Sequence, residues 1–396
     1  MEWSGDEIKQ AIAAKEISAI TLDTSVFDGN GNRFEHGLLA RLNQFNATDD
    51  ITFLISDVVA GEVRRHVAQE AADSRTKVTS ALKEVGKAWQ TTIANRDAAL
   101  NALFGEESPQ ELAERRFETF LEETAAEILE SKDRVDVSRM LQDYFEGVAP
   151  FGKVANKKNE FPDAIALQAL ENWAIEHDTV ILAVSKDGDW KKYAKSSEHL
   201  QVVDDLALAL SYFHQNANVA CSRLVARLKS GELEVDELIQ VAVETAVNYS
   251  VVVPEISSGY FFEAEIDEVV VRAVRLNHEA FRGDPFRVVD KPKEDLLVVE
   301  AQVEADIEVS ADITFSVTDS VDRDEVVIGS TYAETTVTRN FTVLLTFEGD
   351  LGADAELMDA EVSSKGRNVN IPVNFGEVSP DWDEGEKEEE EEEEEE

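Results

Sequence analysis

The chain has 396 residues, of which 43% are hydrophobic, so it is long enough for two domains with buried cores. Its formal net charge of −46, taken alone, argues against nucleic acid as a partner because a polyanion repels phosphates. A single cysteine, Cys221, excludes an internal disulfide and a multi-cysteine zinc site.

Residues 17 to about 215 predict an α/β domain with a parallel sheet. Short apolar runs rich in β-branched residues alternate there with helical patterns. The predicted strands are 17–23, 51–56, 179–185 and 200–203. Helical patterns follow the first, second and last strands, and another precedes the third. An insertion at about 67–147, rich in Ala, Glu, Arg and Leu, predicts two or three helices that form a lid or arm.

From about residue 248 the hydrophobic period changes from 3.6 to 2, which predicts a second domain rich in β-structure. The segments that show this pattern are 263–276, 296–317, 335–349 and 368–375. We expect a mainly antiparallel sheet or sandwich of five or more strands. The predicted organisation is an α/β domain (1–215), a helical connector (216–247), a β-rich domain (248–380) and a tail (381–396).

The negative charge is unevenly distributed between these parts. Residues 1–220 carry a net charge of −15, and the remainder carries −31. The tail ends in nine glutamates, for which we expect disorder. It could serve as a solubilising segment, or it could compete with nucleic acid for a basic rim. No apolar run approaches the roughly 20 residues that span a bilayer, and no secretory signal opens the chain, so we expect a cytoplasmic protein without a membrane partner.

Four carboxylates fall at or near strand ends in the α/β domain. Asp23 ends the first strand, Asp187 follows the third, Glu62 lies in the first turns of the helix after the second, and Asp163 opens the helix before the third. In open α/β sheets, ligands bind outside the carboxyl ends of the strands. Each acid alone also fits a structural role as a turn former, a helix cap or a solvated side chain.

Such acids, if they converge, predict a site for a divalent cation. Like charges a few ångströms apart raise each other's pKa, so a cluster of carboxylates is costly unless a cation lies among them. Hard oxygen ligands suit Mg²⁺ or Mn²⁺. Ions of this kind activate water and stabilise the leaving oxygen of a phosphodiester, which favours phosphodiester hydrolysis as the reaction.

The segments LDTSVF, ISDVVAGEVRRHV, FPDAIAL and ILAVSKDGDW occur in this order, and through them the sequence resembles the PIN nuclease superfamily, specifically its bacterial branch with long helical insertions. The resemblance covers about residues 15–215. It implies a Rossmann-like three-layer fold, a Mg²⁺ or Mn²⁺ site and cleavage of RNA, less often DNA. It also implies that Asp23, Glu62, Asp163 and Asp187 are the catalytic metal-binding acids, with Asp189 as an auxiliary ligand. Thr24 and Ser185 would be polar supports.

Basic and aromatic side chains near these acids are candidates for nucleic-acid contacts. The basic candidates are Arg64, Arg65, Lys157, Lys158, Lys186, Lys191 and Lys192. They could hold a phosphate backbone on either side of the cut, or they could offset local acidity on a solvated face. Trp190 and Tyr193 could stack on bases.

The leading hypothesis is therefore a metal-dependent endoribonuclease, with roles as a toxin, an antiviral effector or an RNA-processing factor left open. The competing hypothesis is an inactive PIN-like scaffold that acts through its β-rich domain in homo-oligomerisation or in binding a protein partner.

Overall fold

The computed structural model describes residues 3–47, 50–151, 160–214, 218–281, 283–293, 295–318, 325–351, 354–363 and 370–381. Lys157, Lys158 and residues 382–396 of the predicted tail lie outside these ranges. The chain divides into two compact units. The first contains Met1–Arg223 together with Arg287–Val299 and Gly349–Asp354. The second contains Leu224–Phe286, Glu300–Glu348 and Ala355–Glu396.

The first unit is built on a five-stranded parallel sheet in the order β3-β2-β1-β4-β5. Its strands are β1 (Ile17–Leu22), β2 (Thr52–Ser56), β3 (Glu127–Leu129), β4 (Val180–Val184) and β5 (Leu200–Val203). The four strands predicted from the sequence are confirmed. The fifth, β3, lies inside the range predicted as helical, because a three-residue strand is too short to show a period. Strands β1, β2 and β4 are buried almost throughout, as parallel strands covered on both faces must be.

The first unit also contains the following helices. They are α1 (Gly5–Ala13), α2 (Thr24–Gly29), α3 (Gly37–Ala40) with a following 3-10 turn (Arg41–Ala47), α4 (Asp57–Ala88), α5 (Ile93–Phe104), α6 (Pro109–Thr124), α7 (Val137–Glu146), α8 (Phe161–Glu176), α9 (Gly188–Ala194) and α10 (Leu206–Ser211). Helix α4 begins where Ser56 accepts a hydrogen bond from the backbone N–H of Val58 at 3.2 Å. It continues through residue 67, the predicted start of the insertion, without a break.

Four phenylalanines, here called the phenylalanine cluster, pack α6 against the rest of the first unit. Phe27 of α2 and Phe34 pack against Phe117 and Phe120 of α6, with ring centroids 5.0 to 6.5 Å apart. All four rings are fully or almost fully buried. Aromatic pairs of this kind contribute about 0.5–1.5 kcal/mol each beyond their buried area. These contacts therefore hold α6 in place beside α4, against which it packs extensively.

The predicted β-rich part is confirmed as mainly antiparallel. Its strands are β6 (Val251–Ser257), β7 (Phe261–Leu276), β8 (Phe286–Lys293), β9 (Leu296–Thr318), β10 (Glu325–Glu348), β11 (Glu356–Val362) and β12 (Asn370–Glu377). One sheet has the order β11-β10-β9-β7, with β8 paired to β9, and the β7–β9 and β10–β11 pairs are antiparallel. The β6–β12 pair is parallel, which the alternating pattern did not reveal. Helices α11 (Asn218–Ser230) and α12 (Asp236–Asn248) precede these strands.

Over the ranges given above, no helix is both long and apolar enough to cross a membrane.

Candidate functional site

Asp23 is a buried carboxylate at the carboxyl end of β1. Strand pairing places Leu22 opposite Val184, and the backbone N–H of Asp23 donates to the Val184 carbonyl at 3.0 Å. The side chain is only 5% exposed and accepts hydrogen bonds at Oδ2 from the hydroxyls of Ser25 at 2.5 Å and Ser185 at 2.9 Å. Burial raises the pKa of Asp23, and the two hydroxyls offset part of that effect.

Ser185 connects Asp23 to the turn that carries Asp187. Its hydroxyl donates to Asp23 and accepts from the backbone N–H of Asp187 at 3.0 Å. Asp187 then caps α9, because its Oδ1 accepts from the backbone N–H of Asp189 at 2.6 Å. The ends of the adjacent strands β1 and β4 thereby bring Asp23 and Asp187 together, and the charge of Asp187 further raises the pKa of Asp23.

Glu62 and Asp163 each accept a hydrogen bond from a neutral donor. Glu62 Oε2 accepts from the Thr24 hydroxyl at 2.7 Å, so α4 is tied to the first residue of α2. Asp163 Oδ1 accepts from the indole Nε1–H of Trp190 at 2.9 Å, so the start of α8 is tied to α9. Neither donor adds a positive charge to the site.

The carboxylate of Asp163 lies within the electrostatic influence of the other three acids. Burial raises the pKa of Asp163 to about 6, and the charges of Asp23, Asp187 and Glu62 contribute to the increase. The indole of Trp190 acts in the opposite direction because its hydrogen bond favours the ionised form. Four segments far apart in the chain therefore converge at one edge of the sheet, on the carboxyl ends of β1 and β4.

The carboxylates are neighbours without being arranged as ligands of one ion. In the part of the chain that the structure describes, no three Asp, Glu, His or Cys side chains have the spacing that would let them hold one metal ion. One oxygen each of Asp23, Glu62 and Asp163 accepts from a hydroxyl or an indole, and Asp187 Oδ1 accepts from a backbone N–H. The donor set itself is composed of hard carboxylate and hydroxyl oxygens, the chemistry that Mg²⁺ and Mn²⁺ prefer.

The predicted basic residues of the α9 region are largely engaged by acids outside this group. Lys192 Nζ lies 2.6 Å from Asp189 Oδ1, so the predicted auxiliary ligand forms an ion pair. Lys191 Nζ lies 2.8 Å from Asp204. Lys186 extends over the end of α2, where a Cβ built on Gly29 would lie 3.7 Å from its ammonium nitrogen.

The two arginines that follow Glu62 have different surroundings. Arg64 Nε lies 2.9 Å from Glu114 of α6, and its guanidinium lies 4.7 Å from the centroid of the Phe117 ring. Arg65 is exposed, and its Nη2 lies 3.0 Å from Nε2 of His66. Arg64 therefore helps to pack α4 against α6, whereas Arg65 faces solvent.

The expectation that Trp190 and Tyr193 stack on bases is wrong. Trp190 is completely buried, and Tyr193 is 8% exposed. The Tyr193 hydroxyl donates to Glu171 Oε2 at 2.5 Å, and burial raises the pKa of this tyrosine. Both aromatic residues bind side chains of α8 and so hold α9 against it. In a short helix with one buried face, the large side chains occupy that face.

Comparison with known families agrees with this geometry. A family model described as the PIN domain matches residues 20–190. This part of the chain is a PIN domain. The match includes Asp23, Glu62, Asp163 and Asp187 and ends before the β-rich region. Searches of curated proteins and of solved structures gave no match. The PIN domain places residues 20–190 in a superfamily of nucleases.

Ser25 had no site role in the sequence-based prediction, and Trp190 was expected to contact bases rather than one of the acids. Ser25 donates to Asp23, and Trp190 donates to Asp163 across 27 positions of sequence. Ser25 follows Asp23 by two residues, a spacing at which side-chain hydrogen bonds commonly form, so it could have been identified. The contact of Trp190 depends on how α8 and α9 pack, which no local pattern reveals.

Proposed function

We propose that the PIN domain is a metal-dependent endonuclease that hydrolyses RNA phosphodiesters, with Mg²⁺ or Mn²⁺ held by Asp23, Glu62, Asp163 and Asp187. The observation that carries this proposal is the hydrogen bonding at the ends of β1 and β4, where Ser185 links Asp23 to Asp187. Thr24 holds Glu62 there, and Trp190 holds Asp163, so the four acids lie beside one another. Since like charges repel, a divalent cation among the four acids would offset the cost of placing them together. A toxin, an antiviral effector or an RNA-processing factor would each use such an activity.

Each residue has a role that follows from its position. The bound ion would supply activation of water and stabilisation of the leaving oxygen. Asp23, fixed by Ser25 and Ser185, would be the rigid ligand at the centre. Glu62 of α4, Asp163 of α8 and Asp187 at the start of α9 would complete the set. Arg65 and Lys186 would contact the phosphate backbone next to the cut.

The test is cleavage of labelled single-stranded RNA and DNA with Mn²⁺ or with EDTA. We expect wild type to cleave RNA only with the ion, and Asp23→Asn to abolish cleavage. Asp178→Asn is a matched control, because Asp178 is exposed and its backbone φ of 50° is a conformation that asparagine tolerates. Asp178→Asn should cleave at the wild-type rate. Mn²⁺-dependent cleavage that survives Asp23→Asn would refute the assignment.

A second candidate function is an inactive scaffold that acts through the β-rich unit. Two observations favour it: the acids are not spaced as ligands of one ion, and several large apolar side chains of β7 and β10 are exposed. Phe261 is 64% exposed, Val327 66% and Tyr332 56%. A titration without Mn²⁺ binding, together with a stable oligomer in light scattering, would favour this candidate over the nuclease.

A further inference from the structure

A cleft lies between helices α4 and α6 of the PIN domain. Its volume is about 360 Å³, within the range of about 300–1,000 Å³ typical of small-ligand sites. The ion pair of Arg64 with Glu114 closes part of its wall. Because the phenylalanine cluster fixes α6, the cleft is a preformed feature of the fold rather than a gap between loose helices.

The lining of the cleft has an apolar floor and a polar rim. Ala68 and Ala113 are the most buried lining residues, at 9% and 1% exposure, and therefore form the floor. The exposed side chains of Arg65, Gln69 and Gln110 form the rim. A floor of methyl groups suits the apolar face of an aromatic ring. Glutamine amides offer both a donor and an acceptor, which suits the polar edge of a nucleobase.

The cleft begins next to the proposed metal centre. Arg65 follows Glu62 by three residues and Gln69 follows it by seven, so all three lie on one face of α4. One turn of helix, about 5 Å, separates Glu62 from Arg65. A strand whose phosphate lies at Glu62 would thus have its neighbouring nucleotide at the mouth of the cleft.

We propose that the cleft between α4 and α6 binds one unpaired nucleobase of the substrate, with Arg65 contacting the adjoining phosphate. This inference rests on the proposed nuclease function and defines its substrate as single-stranded nucleic acid. Bases of a duplex are paired and stacked and cannot enter such a slot, whereas bases of a single strand can be turned out.

The test fills the cleft without touching the acids. Ala72 is half-buried and lines the cleft, so Ala72→Leu places a branched side chain in the space for the base. Ala71→Leu is the matched control, since Ala71 is the half-buried neighbour on the same helix and is outside the lining. The same substitution in the middle of α4 has the same effect on helix propensity.

Binding of a short fluorescein-labelled single-stranded RNA is measured by anisotropy in EDTA, and cleavage with Mn²⁺ is measured in parallel. Loss of one base-binding contact is expected to raise Kd and KM about tenfold for Ala72→Leu, with kcat unchanged. Ala71→Leu should match wild type. Arg65→Gln should remove one phosphate contact, so the slope of log Kd against log salt concentration should fall by about one.

The outcomes separate this inference from the proposed function. Equal affinities of Ala72→Leu and Ala71→Leu for the RNA, with both proteins folded by circular dichroism, would overturn the base-binding cleft while leaving the nuclease intact. Equal binding of double-stranded and single-stranded RNA would also overturn it. A selective loss of binding in Ala72→Leu without Mn²⁺-dependent cleavage in any protein would support the cleft and refute the nuclease.

Discussion

The substitution Asp163→Asn should stabilise the protein without metal and remove its stabilisation by metal. The pKa of Asp163 is about 6 in the folded protein, against an ordinary value of 3.8. The folded state therefore binds this proton more tightly than the unfolded state does. The contribution of Asp163 to stability is most favourable below about pH 4 and declines as the pH rises to about 6, above which its cost is complete.

The size of this cost follows from the pKa difference. One pKa unit corresponds to about 1.4 kcal/mol, so the difference of about 2 gives an upper value of about 3 kcal/mol. Because Asp163 is only partly buried and water screens the charges around it, we expect about 1–2 kcal/mol. Asparagine has nearly the same shape, and its carbonyl oxygen can still accept the hydrogen bond from Trp190.

Urea denaturation in EDTA, at neutral pH and near pH 4, measures the effect. Asp163→Asn should raise the free energy of unfolding at neutral pH and leave it nearly unchanged near pH 4. Asp204→Asn is a control for which the free energy of unfolding should change in the opposite direction. The hydrogen bond from Lys191 lowers the pKa of Asp204, so losing this carboxylate should destabilise the protein at neutral pH. Adding Mn²⁺ should stabilise wild type and leave Asp163→Asn unaffected. A gain for Asp163→Asn that is independent of pH, or no gain, would refute the reasoning.

Two further predictions concern buried hydrogen bonds. Trp190→Phe removes the indole donor that orients Asp163 and should weaken Mn²⁺ binding about tenfold in calorimetric titrations, whereas Tyr193→Phe on the same helix should leave it unchanged. Burial lowers the pKa of His214, which donates to Gln44 Oε1 at 2.7 Å, to about 4. Its contribution to stability is present above about pH 6.5 and is lost as the pH falls towards 4, so His214→Gln should flatten the pH dependence of the unfolding free energy across that window.

The sequence predicts the sheet of the PIN domain well because its strands are continuous apolar runs that end at polar residues. The segments at 17–22 and 180–184 end at Asp23 and Ser185, and parallel pairing brings those ends together. What the sequence cannot reveal are features that depend on distant packing. Strand β3 has three residues, and the parallel pair β6–β12 joins segments more than a hundred residues apart. The burial of Trp190 belongs to the same class, since only the packing of α9 on α8 determines it.

The donors around the acids differ from those of a structural charge network. A buried carboxylate that serves only the fold is commonly neutralised by an arginine or a lysine. Here the donors to Asp23, Glu62 and Asp163 are hydroxyls and an indole, which orient the carboxylates and leave their negative charge in place. Within the described ranges, the neighbouring Lys192 forms an ion pair with Asp189, and Lys191 forms one with Asp204. Among the described residues, Asp23, Glu62 and Asp163 are thus oriented by neutral donors, which supports the proposal that a cation balances their charge.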